Sequence, residues 1–211
     1  MEHNNKVADD VVGAGEEEVE LGLPTGPIGC IKALISVLGY DPYNQHFENT
    51  PMRYLKWLQE FAPDPRPFED VVKVAFRTDF EEMVAVTNIR FTGLCAHHLL
   101  PFRGKASVAY VPGASGRIVG LSKLARAVEY FAHRITVQED ITEDLANALV
   151  EHLEPKGVMV VIQAEHECMA IRGVKQPGAI TITSGVRGCF LDNLKGSKDE
   201  FLALAKMDGV H

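Results

Sequence analysis

The chain has 211 residues, 46% of them apolar and 8% aromatic, which is the make-up of one ordinary globular domain. A formal net charge of −8 argues against a protein that wraps nucleic acid over a broad basic face. Seven acids against Lys6 lie within Met1–Glu20, so the rest of the chain is close to neutral and leaves room for a local basic cluster that binds a small anion.

Residues 1–26 are acidic and dotted with glycine, and read as a flexible leader outside the fold. Neither a basic-then-apolar start nor a run of about 18 apolar residues occurs, so no secretion signal and no membrane span are expected, and the location implied is cytoplasmic. Ile28, Ile31, Leu34, Ile35 and Leu38 recur at helical spacing and Gly39 follows as a stop. Thr50 and Pro51 read as N-cap and first residue of a second helix carrying Tyr54, Leu55, Leu58 and Phe61. Pro63, Pro65 and Pro67 then make a stiff connector, so 27–69 is read as a helical region and 70–211 as the main body.

Strands are expected at Val71–Phe76, Met83–Phe91 and Ala106–Val111, from their β-branched and aromatic content. Ser122 reads as the N-cap of a helix with Leu124, Ala125, Val128 and Phe131, and another helix is expected over about Thr142–Leu153. Two more strands follow at Val158–Ala164 and Ala179–Ser184. Strands, two helices, strands is the order of an α+β domain with helices on one face of an antiparallel sheet.

The chemistry concentrates in Cys95-Ala96-His97-His98, just after a strand, and His166-Glu167-Cys168, at the end of another. Thiolate and imidazole together suit zinc. A Cys-x-x-His pair plus one distant ligand leaves a fourth tetrahedral position open, as catalytic sites do. Either cluster alone is equally well explained by turn histidines and buried thiols, and Cys30 and Cys189 read as buried structural thiols. Ser122, Lys123 and Arg126 at a helix start, with Arg172 downstream, have the make-up of an anion site or of a solvated helix face. Gln138-Glu139 places an amide and a carboxylate in tandem before a helix, where the acid either accepts paired N–H donors of a purine edge or simply complements the helix start.

In this order, Cys95-Ala96-His97-His98, Gly120-Leu121-Ser122-Lys123-Leu124-Ala125-Arg126, Val137-Gln138-Glu139, His166-Glu167-Cys168 and Arg172-Gly173 resemble GTP cyclohydrolase I over roughly Leu34–Lys206. The resemblance implies a tunnelling (T-fold) architecture, two stacked rings, typically a homodecamer, and GTP as substrate. It implies Zn2+ on Cys95, His98 and Cys168, with His97 and His166 carrying protons as the imidazole ring opens and formate leaves. It implies guanine held by Gln138 and Glu139 and triphosphate by Lys123, Arg126 and Arg172, with Ser122, Arg53 and Lys56 assisting, to give 7,8-dihydroneopterin triphosphate. Ala96 stands where that family usually carries Glu. The departure keeps open a relative that releases a formamide intermediate or takes another purine triphosphate, and a non-catalytic nucleotide-binding subunit.

Overall fold

The computed structural model describes residues 26–73 and 76–206. The expected leader therefore lies outside the described residues, apart from Gly26. The chain divides at Trp57/Leu58 into two compact units.

In the first unit, α1 (Pro27–Val37) opens after Gly26, whose φ of 94° suits only glycine without strain, and Pro27 sits where a missing N–H costs nothing. Its apolar positions are less covered than the periodicity predicts. Ile35 is buried, but Leu34, Val37 and Leu38 are exposed, and so is Cys30, contrary to the reading of a buried thiol. Lys32 Nζ lies 4.4 Å from the centroid of Tyr43. Helix α2 (Thr50–Glu60) runs across the boundary, with Thr50 already helical rather than capping.

In the second unit, α3 (Phe68–Val71) replaces the start of the expected strand, because Pro67 feeds a turn whose acids Glu69 and Asp70 suit a helix start. Phe68, Val71 and Val72 enter the core, and the strand is reduced to β1 (Phe76–Arg77), part of the expected span lying outside the described residues. Then come β2 (Val84–Cys95), β3 (Pro101–Val111), β4 (Arg117–Ile118), α4 (Leu121–Ala132), β5 (Ile135–Thr136), α5 (Gln138–Leu153), β6 (Gly157–His166), α6 (Glu167–Ala170), β7 (Ile180–Gly188), a 3-10 turn at Leu194–Gly196 and α7 (Ser197–Lys206). Ser122 is not the cap of α4. Gly120 takes the N-cap position and Ser122 lies inside the first turn. Helix α5 starts at Gln138, so Gln138 and Glu139 lie within its first turn instead of ahead of it.

A small β1–β4 ribbon accompanies a five-stranded sheet of order β5-β2-β3-β6-β7, antiparallel except for β5 against β2. Between Val86 and Ile89 the β2–β3 register slips, where Asn88 takes a left-handed φ of 58°. Helices α4 and α5 pack on one face, through Leu124, Val128, Ile141, Leu145 and Leu149 against Phe91, Phe102, Val108, Val160 and Ile162. The α+β expectation of two helices on one face holds. The opposite face is partly covered too, by Phe190 and by Phe201 of α7 over Ala109, Met159 and Val161. That second cover explains why β6 is buried on both faces through most of its length. Among the described residues no helix is long and apolar enough to cross a membrane.

Candidate functional site

Cys95 ends β2, and the chain turns back at once into β3. The turn is closed by Cys95 N–H donating to Leu100 O at 2.9 Å and Leu99 N–H donating to Cys95 O at 2.8 Å, with Leu99 in the left-handed region at φ 53°. Ala96 N–H donates to Thr136 O at 3.0 Å, and Leu94 N–H to Arg134 O at 3.1 Å, which hangs the turn on β5. Close packing underneath requires Gly93: a Cβ there would lie 2.6 Å from Phe102 Cζ and 2.8 Å from Ala132 O.

This geometry presents three side chains together. Cys95 Sγ lies 3.8 Å from His97 Nδ1 and 4.0 Å from His98 Nδ1. Cys168 arrives from the first turn of α6, and the ligand atoms of Cys95, His98 and Cys168 all fall within 4.8 Å of one another. Ligand separations on a tetrahedral zinc are about 3.5–3.8 Å, given metal–sulfur and metal–nitrogen bonds of about 2.3 and 2.0 Å. Two soft sulfurs and an imidazole at this spacing fit such an ion with a modest contraction. Cys95 is buried, Cys168 half-buried and His98 exposed, so the group is anchored at the sheet and open on one side. Burial, and after it the neighbouring Cys95, push the Cys168 thiol up, while Arg172 pulls it down.

His166 is the last residue of β6, opposite Phe102 in the β3–β6 register. Its ring stacks on Phe102 with centroids 4.7 Å apart and planes 2° from parallel. Burial holds its pKa below the usual imidazole value, and the charge of Glu139 works in the other direction. Its Nε2 lies 2.9 Å from Gln138 Oε1.

Gln138 was expected to grip a base, and its surroundings assign the side chain elsewhere. It is 1% exposed, and its Nε2 donates to Ile162 O at 3.2 Å, Thr181 O at 3.1 Å and Thr183 Oγ1 at 3.1 Å. No amide hydrogen remains for a ligand. Glu139, by contrast, is exposed in the same first turn. Glu167 does not sit on a strand face as the alternation of β6 would have it: it is in α6 and pairs with Arg103 at 2.7 Å.

Arg172 stands on an exposed loop beyond α6, tethered by Gly178 N–H donating to Glu165 Oε1 at 2.7 Å. Ser122, Lys123 and Arg126 ride α4, and among the described residues none of them bonds the cysteine–histidine group. Arg126 instead faces a cavity of about 620 Å³ shared with Asp64, Arg66, Asp70, Glu129 and His133. Arg53 and Lys56 are exposed on α2 in the first unit. The short tie of Gln138 to His166 and the Phe102 stack escaped sequence reasoning, since neither leaves a signal in local spacing.

Compared with known proteins, residues 29–206 match the profile of a family described as GTP cyclohydrolase I. A GTP cyclohydrolase 1 of Halalkalibacterium halodurans is 48% identical over 178 residues, covering 84% of this chain and 94% of the relative. One of Thermobifida fusca is 46% identical over 79% of this chain and 81% of its own, and one of Bacillus subtilis 46% identical over 78% and 86%. Among solved structures, an archaeosine synthase QueF-Like in the apo form is similar at a TM-score of 0.41 and 16% identity, over 50% of this chain and 93% of that one.

Proposed function

The chain belongs to the GTP cyclohydrolase I family, and on that premise we propose how its residues divide the work of hydrolysing GTP. Cys95, His98 and Cys168 hold a zinc ion, which when bound supplies Lewis acidity and an acidified water at neutral pH. The co-location of these three ligand atoms, drawn from the ends of two separate strands, is the observation that carries the reading.

Water adds at C8 of GTP and opens the imidazole ring to a formamide, a second water hydrolyses the formamide to formate and a free amine, and the ribose opens and rearranges to a ketose whose carbonyl condenses with that amine, losing one water, to give 7,8-dihydroneopterin triphosphate. His97, beside Cys95, and His166, whose pKa burial lowers, take and return protons through these steps. Glu139 accepts the paired N–H donors of the guanine edge, a task in which Gln138 takes no direct part because its amide is engaged internally. Lys123, Arg126 and Arg172 neutralise the triphosphate, with Ser122, Arg53 and Lys56 as further contacts.

The architecture is of the T-fold kind and the working form a homo-oligomer, a decamer of two stacked rings in the cytoplasm. Support comes from the outer strand β7, whose Ile180 and Ile182 are 52% and 63% exposed, as a sheet edge awaiting another copy would be.

The test is an anaerobic assay of zinc-loaded protein with GTP, following product mass and formate. One formate per GTP with dihydroneopterin triphosphate is expected, and Cys168→Ala should lose bound zinc and formate release together. A formylated product without formate would replace this reading with a truncated reaction. Unchanged zinc content in Cys168→Ala would remove the ligand assignment.

A further inference from the structure

The Gln138 side chain is buried at the start of α5, and every polar atom around it has a determined sense. Two of its neighbours, Ile162 O and Thr181 O, are backbone carbonyls that only accept, at 3.2 and 3.1 Å. The atom facing them is therefore the NH2 group, since a flipped amide would set three oxygens against one another. The hydroxyls agree with this order. Thr142 Oγ1 donates to Gln138 O at 2.9 Å, so its short 2.6 Å contact with Thr183 is supplied by the Thr183 hydroxyl, and Thr183 Oγ1 is left to accept from the Gln138 amide.

With NH2 fixed on that side, Oε1 points at His166 Nε2, 2.9 Å away, and an amide oxygen only accepts. We infer that Gln138 is a positioning residue that keeps a proton on Nε2 of His166, so that Nδ1 is the ring nitrogen left to exchange one. Phe102 fixes the plane of the ring and Gln138 fixes its rotation and its proton. Among the described residues nothing bonds Nδ1, as a proton-exchanging nitrogen requires. The network also ties α5 to β6 and β7 through Ile162, Thr181 and Thr183, so the tautomer is set by the fold rather than by a mobile surface group. The mechanistic value of this lock rests on the reading of His166 as a proton carrier.

Two readouts separate the inference from that reading. Ring-nitrogen NMR of the 15N-histidine-labelled oligomer, with the His166 signals identified by their loss in His166→Ala, should show Nε2 protonated and Nδ1 unprotonated. Gln138→Met keeps the length and removes the acceptor, and should give a mixture of tautomers. Thr183→Val removes one amide acceptor, leaves Oε1 untouched, and should keep the wild-type pattern. In turnover, Gln138→Met should lower kcat by about tenfold or more with KM for GTP within about twofold, as loss of an oriented proton carrier does. An Nδ1–H ring in the wild type overturns the inference even if Gln138→Met fails to fold. A rise in KM with kcat unchanged would also overturn it, placing Gln138 on the base. Turnover retained in His166→Ala would instead refute the catalytic role given to His166, independently of which nitrogen carries the proton.

Discussion

His166 and Phe102 face each other across β6 and β3 as paired residues, and their rings lie 4.7 Å apart and within 2° of parallel. One ring is wholly buried and the other half-buried, so Phe102 acts as the flat floor on which the imidazole rests. Phe102→Leu preserves an apolar core residue but removes that floor. It should cost about 1–1.5 kcal/mol of stability in urea denaturation and lower kcat while zinc content stays at the wild-type level. Phe102→Ala should cost about 3–5 kcal/mol, because a cavity opens under the sheet.

Gly93 allows that floor to exist. A methyl group there meets Phe102 Cζ and the Ala132 carbonyl at distances that real contacts do not reach. Gly93→Ala should destabilise the protein by about 1–3 kcal/mol and disturb the turn that begins two residues later. A wild-type melting temperature in this variant would show that α4 and β2 are free to move apart.

Alkaline conditions should weaken the fold through Tyr110. Its ring is fully buried, its hydroxyl oxygen accepts from Val119 N–H at 3.3 Å, and burial raises its pKa above 10.0. For an acid whose folded-state pKa is raised, the stabilisation is complete below the unfolded value and is lost as pH rises past it. Tyr110→Phe should therefore be less stable than wild type near pH 7, by about 1–3 kcal/mol for the orphaned Val119 N–H, and the gap should narrow above pH 10. Parallel denaturation curves at pH 7, 9 and 11 check the sign.

Ala96→Glu should be neutral for the fold. The side chain is exposed, and the tie from this residue to Thr136 uses the backbone N–H. Stability should stay within about 0.5 kcal/mol and zinc content should not change, so any difference in turnover reports the carboxylate itself.

Glu165 tethers the loop that carries Arg172 by accepting from Gly178 N–H. Glu165→Ala should raise KM for GTP severalfold with little change in kcat, while Glu165→Gln, which keeps an acceptor oxygen, should stay near wild type. Equal effects of both variants would show that charge, not the tether, matters at this position.

The cysteine–histidine group that could hold a metal was legible because two of its three members are local: Cys95 and His98 share one turn, and only Cys168 needed the fold to deliver it. The two helices over the sheet were legible from periodicity, but their first residues were not. Ser122 has the chemistry of a cap, yet Gly120 takes that place and the helix begins two residues earlier than a Ser122 cap would set it. The valines at 71 and 72 carry a strand signal, yet Pro67 with Glu69 and Asp70 starts a helical turn that drops both into the core. The task of Gln138 could not be read at all, because its partners Ile162, Thr181 and Thr183 lie 24 to 45 positions away in sequence. Asp199 and Glu200 do mark the start of α7, a signal present in the sequence whose destination, the far face of the sheet, only Phe201 in place reveals.

Helix α4 has two ends with different duties. Lys123 and Arg126 stand in its first turns, while the carbonyls just beyond its last turn, Arg134 and Thr136, receive the N–H groups of Leu94 and Ala96 on either side of Cys95. Twelve helical residues make a stiff rod of about 18 Å between them. The first turn of the helix and the frame of the cysteine–histidine turn therefore hang on one continuous stretch of chain.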